Sequence, residues 1–165
     1  VIPAFTWLFN QSGDNFYAGP GGEIGEGTGL SLGGYGGISY QAFISPQIAV
    51  GGELGYTFFF DRGSILLTDV PFAVKLSWYP VQGVIDIPLS VKAGFSYLSY
   101  DDAGLFTFFG ALEAGITWFP GDGNWGFGLT TGISIVPELY MSSDKTDSNA
   151  LFVSVPVVLS ATYRN

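Results

Sequence analysis

Large apolar residues alternate with small or polar ones along most of this chain. From Leu105 to Phe119 the even positions are Phe106, Phe108, Gly110, Leu112, Ala114, Ile116 and Trp118, while the odd ones include Thr107, Ala111, Glu113, Gly115 and Thr117. Successive side chains of a β-strand point to opposite faces, so this run predicts a strand with one greasy face and one small, polar face. The pattern recurs. Val50, Leu54, Tyr56 and Phe58 oppose Gly51, Glu53, Gly55 and Thr57; Phe72, Val74, Leu76 and Trp78 oppose Ala73, Lys75 and Ser77. Leu89, Val91, Phe95 and Tyr97 oppose Ser90, Lys92, Gly94 and Ser96; Trp125, Phe127, Leu129 and Ile133 oppose Gly126, Gly128, Thr130 and Gly132. A run from Leu151 to Tyr163, a glycine-rich run at 28–44 and a short one at 4–10 bring the predicted strands to eight. No long segment keeps helical spacing.

The connections are of two kinds. Ser45-Pro46-Gln47, Pro80 to Gly83 and Pro120 to Asn124 read as tight turns, two of them after Trp78-Tyr79 and Trp118-Phe119. Asp61 to Ser64, Asp101 to Gly104 and Met141 to Asn149 are more acidic, and the loop at 11–27 carries Asp14, Glu23 and Glu26. Short, evenly spaced strands without a linker predict a single domain over 1–165. Val1 to Ala4 carry no basic and apolar leader, as expected of a mature chain after export or of one made without a signal.

Composition decides which face meets what. Apolar residues are 47% of the chain and aromatics 17%, whereas charged residues are 12%, about half the roughly 25% usual in a soluble domain. A soluble barrel with its greasy face inward would need Lys and Glu in quantity on the other face, and few are present. An eight-stranded barrel has room inside only for packed side chains, which suits the face rich in Gly, Ala, Ser and Thr. The bulky face then meets lipid, with Leu76, Val91 and Leu112 near mid-depth. Aromatic residues gather near the strand ends: Trp78, Tyr79, Trp118, Phe119, Trp125 and Tyr163 toward one rim, and Phe58, Phe60, Tyr97, Tyr100, Phe106 and Tyr140 toward the other. Two such girdles mark a membrane barrel. The fold class expected is therefore all-β, a closed antiparallel up-and-down transmembrane β-barrel of about eight strands.

On this pattern the chain resembles the small eight-stranded outer-membrane barrels, the family of the OmpA transmembrane domain, OmpX and OmpW. The resemblance spans essentially the whole chain and rests on pattern rather than on a motif. It implies a bacterial outer-membrane location with periplasmic termini, the Pro-containing turns on the periplasmic side and the acidic loops outside. It also implies lipids as partners, and reading of the last strand by the barrel-insertion machinery. That strand ends Leu159-Ser-Ala-Thr-Tyr163-Arg164-Asn165, and Asn165 departs from the family's terminal aromatic. A monomer is expected.

Candidate chemistry is sparse. Net charge is -9, from five basic and fourteen acidic residues, so no basic stripe is available for nucleic acid. There is no Cys and no His, which removes thiolate chemistry and the commonest general base and metal ligand. Lipid-modifying barrel enzymes resemble this chain in strand count but use His. No catalytic residue, cofactor or metal is expected, and the chain reads as non-enzymatic. Ser142-Ser143-Asp144-Lys145 fits S-x-x-K only formally, in a polar loop, and Gly121 to Gly126 spells G-x-G-x-x-G in a turn rather than before a helix. Asp101-Asp102 read as a solvated acidic rim, and Asn10-Gln11-Ser12 as an incidental glycosylation triplet. One constellation stands out. Lys75 and Lys92 fall within strands in the inward phase, flanked on neighbouring strands by Glu53 and Glu113 at similar depth. They are expected to form a charge cluster in the barrel interior, either completing a plug or gating a narrow water path. The expected function is structural or surface-interacting, with a narrow, polar, largely plugged interior; the alternative is a porin-like narrow channel for small or hydrophobic solutes.

Overall fold

The computed structural model describes residues 2–10, 33–60, 66–100, 103–121, 123–138 and 150–164. Its strands are β1 (Ile2–Asn10), β2 (Gly33–Ser45), β3 (Ile48–Phe60), β4 (Leu66–Val81), β5 (Ile85–Tyr100), β6 (Ala103–Trp118), β7 (Trp125–Glu138) and β8 (Ala150–Tyr163). From β2 to β8 each strand pairs antiparallel with the next in the chain, giving an up-and-down sheet of seven strands curled into a half-barrel. Among the described residues no helix is long and apolar enough to cross a membrane, which says nothing of strands. The loop at 11–27, Asp61 to Ser64, Asp101-Asp102, Asp122, Tyr140, the Ser142 to Lys145 motif, Gln11-Ser12 and Asn165 lie outside the described residues.

The two faces fall as the alternation predicts. Phe72, Val74, Leu76 and Trp78 on β4, and Phe106, Phe108, Leu112 and Trp118 on β6, point outward and are exposed, whereas Ser77, Ser90, Lys92, Ser96, Thr107 and Ala111 are buried within the curl. On the outside Phe95 stacks against Phe106 and packs at a tilt against Phe108, with ring centroids 5.4 and 5.5 Å away. Glycines let the sheet curl this tightly. A Cβ on Gly51 would lie 1.7 Å from the Tyr40 carbonyl oxygen, and one on Gly94 would lie 1.9 Å from that of Phe72. The glycine-rich stretch Gly33 to Gly37 is part of β2.

The turn end of the sheet is laced together. Gln82 donates to the Pro46 carbonyl at 2.6 Å, and the Tyr79 and Phe119 amides donate to the carbonyls of Gln47 and Val84 at 2.8 Å each. The turn expected at Pro80 falls later, because β4 runs on to Val81 through an irregular register between Trp78 and Val81. A strand tolerates Pro at such a break, where no ladder hydrogen bond is needed.

Two residues of the expected girdle belong elsewhere. Trp78, Trp118, Trp125 and Tyr163 are exposed on the outer face, but Phe119 is only 2% exposed and Tyr79 is turned into the mouth of the interior. Both occupy the inward phase, and near the rim that face has room for large rings. The interior also departs from the uniform polarity expected of it. At the end away from the tight turns, Phe59, Leu67, Leu98, Phe109, Val136 and Phe152 pack into an apolar cluster. Phe59 and Phe152, from β3 and β8, meet edge to face with centroids 5.2 Å apart.

Candidate functional site

The central feature of the interior is a four-membered charge box. Register places Lys75 directly across from Lys92. Glu53 lies across from Ala73 and Glu113 across from Ser90, so the two carboxylates stand two residues to either side of the lysine row. Diagonal neighbours on a sheet are about 7–8 Å apart, within reach of long side chains. Each ammonium therefore meets both carboxylates. Lys75 Nζ lies 3.3 Å from Glu53 Oε2 and 3.4 Å from Glu113 Oε2, and Lys92 contacts the other oxygen of each. The Tyr35 hydroxyl donates to Glu53 at 2.6 Å.

The box is largely buried and neutral. The Lys92 side chain is 4% exposed, and two cations balance two anions. Glycines make space for these long side chains: Gly51 is the cross-strand partner of Lys75 and Gly132 that of Glu113. A Cβ on Gly132 would come within 2.1 Å of the Leu112 carbonyl oxygen.

On the loop side of the box, Asp69 accepts from Ser96, Ser134 bonds Ser154, and Thr107 donates to the Pro137 carbonyl. Beyond them lies the apolar cluster, so a polar collar separates the charges from a greasy plug. On the turn side, the box forms the floor of a cavity of about 680 Å³ whose walls include Gln41, Thr117, Thr130 and Ser160. Gln41 donates to Ser77 at 2.6 Å and accepts from the Tyr79 hydroxyl at 3.2 Å.

At the mouth of this cavity Arg164 makes a contact that the sequence did not suggest. Its Nη1 donates to both carboxylate oxygens of Asp86 at 3.2 and 3.1 Å, its Nη2 to the Gly83 carbonyl at 2.8 Å, and its guanidinium lies 3.6 Å from the centroid of the Phe119 ring. The end of β8 is thus pinned to the β4–β5 turn. Asp86 and Arg164 are 78 positions apart in the chain, and only the curl of the sheet brings them together.

Among the described residues no group of three or more acidic side chains could hold a metal. No curated protein and no solved structure matches the chain. The model of an uncharacterised protein family does match, over residues 2–163. A match that covers nearly every residue settles kinship, and the chain belongs to that family.

Proposed function

We propose that this chain is an integral β-barrel of a bacterial outer membrane, without enzymatic chemistry, closed into eight strands and plugged along its axis. One observation carries the reading: the outer face presents Phe, Leu, Ile, Val and Trp side chains to the surroundings, while the strand-borne lysines and their glutamates are turned inward. In water that arrangement is inside out. In hydrocarbon it is the favourable one.

Closure is supported by β1, which pairs with β8 from Ala4↔Pro156 to Asn10↔Ala150 and with β2 from Ile2↔Tyr35 to Ala4↔Gly33. A bilayer also demands it, since backbone groups unpaired in lipid cost several kcal/mol each. The resemblance to the small outer-membrane barrels supplies the orientation, with the tight turns and termini periplasmic. It also supplies the expected partners, outer-membrane lipids and the insertion machinery acting on the strand that ends at Tyr163. The role is structural or surface-interacting, and the barrel acts as a monomer.

A purified chain of this kind requires detergent and migrates differently on gels before and after heating. A soluble monomer in plain buffer overturns the proposal. A narrow channel is the second reading, favoured by the cavity on the turn side of the box; the apolar cluster beyond the box opposes it. Stable openings in a planar bilayer would favour the channel.

A further inference from the structure

The cavity on the turn side of the charge box is closed at its inner end by the box and then the apolar cluster, and it opens both at the tight turns and along the flank between β2 and β8, where the described β1 does not reach. Its volume of about 680 Å³ falls within the roughly 300–1,000 Å³ of small-molecule sites. We propose that this cup binds a small, uncharged, polyhydroxylated ligand, a saccharide unit of one or two rings.

Three features select that chemistry. The first is a hydroxyl wall. Thr117 on β6 and Ser160 on β8 flank Gly128 on β7. A Cβ on Gly128 would lie 2.8 Å from Thr117 Oγ1 and 2.7 Å from Ser160 Oγ, so the bare glycine leaves room for both hydroxyls beside its backbone. Thr117 is 8% exposed, lines the cup and makes no side-chain hydrogen bond to another described residue. Buried hydroxyls in folded proteins almost always have a partner, from the chain, ordered water or a ligand.

The second is charge. Lys75 and Lys92 are matched by Glu53 and Glu113, and Arg164 by Asp86. An ionic ligand would have to break one of these pairs, whereas a neutral one leaves them intact. The third is an aromatic lip. The rings of Phe43 and Tyr79 lie 5.1 Å apart at the mouth, and Phe43 is half exposed. Such a surface suits the C–H face of a sugar ring. A hydrocarbon tail would instead strand the hydroxyl wall without partners.

The inference rests on the barrel reading, which supplies the closed wall between β2 and β8. The test uses the full chain in an oxyethylene detergent, which carries no sugar headgroup. Saturation-transfer NMR with maltose, glucuronate and decanoate as separate probes reads binding, and heat-modifiability on gels reads the barrel. The expected result is saturable binding of maltose alone. Thr117→Val combined with Ser160→Ala should weaken it about tenfold or more, while heat-modifiability persists. Binding of decanoate alone makes the cup an acyl-chain pocket, and binding of glucuronate alone makes it an anion site. Silence with all three makes it a water-filled vestibule. Each of these overturns the proposal. Loss of heat-modifiability in the unaltered chain instead counts against the barrel reading, independently of what the probes show.

Discussion

Lys75 and Lys92 face each other across neighbouring strands, a like-charge pairing that destabilises an ordinary sheet. It is tolerated here because Glu53 and Glu113 each bond both ammonium groups. The four residues and their inward phase were legible in the sequence, since only two lysines fall within strands. Their similar depth was legible too, by counting from the turns, but the offset that puts the glutamates on opposite sides of the lysine row was not, because it is set by register. Glu113→Gln is expected to cost about 3–5 kcal/mol, the usual penalty for breaking a buried ion pair from one side, read by urea unfolding in lipid vesicles. Adding Lys92→Met restores charge balance and should recover part of that loss; strictly additive costs would mean that the box does not act as a unit.

Alternation told which residues of each strand share a face, but not what fills the inner face at each level. Phe59, Leu67, Leu98 and Phe152 all lie in the inward phase, and their clustering toward one end is the signal that a second, apolar plug exists beyond the charges. Tyr79 and Phe119 misled for the same reason, since being aromatic and near a rim does not fix which way a ring points. Because two barriers lie in series, Glu113→Gln alone should leave planar bilayers silent. Phe152→Ala alone should cost about 3–5 kcal/mol, and combined with Glu113→Gln it should give discrete openings. Openings from Glu113→Gln by itself would make the box the true gate. On the outer face, Leu76→Arg or Val91→Arg is expected to cost about 2–4 kcal/mol in vesicles if these positions sit at the bilayer midplane. Full tolerance there would remove lipid from that face. Arg at Ser77 is no control, because that inward side chain is completely buried and leaves no room for it.

For the whole molecule, the up-and-down order of the strands could be read from period-two runs and short turns, whereas contacts between distant strands depend on how far the sheet shears as it curls, which no local pattern encodes. The clasp between Arg164 and Asp86 is such a contact. It can form only after β4 to β8 have zipped together and rolled far enough to bring the end of β8 over the β4–β5 turn. A bond made that late is expected to be absent from the folding transition state and so to act on the lifetime of the native molecule rather than on the speed of its assembly. Arg164→Ala should therefore accelerate unfolding in stopped-flow or slow dilution experiments while the refolding limb stays where it was. A slower refolding limb would place the clasp in the nucleus. With the clasp intact, the end of the last strand is held by a residue beyond the ladder itself, so peeling that end away has to break a side-chain contact as well as backbone hydrogen bonds.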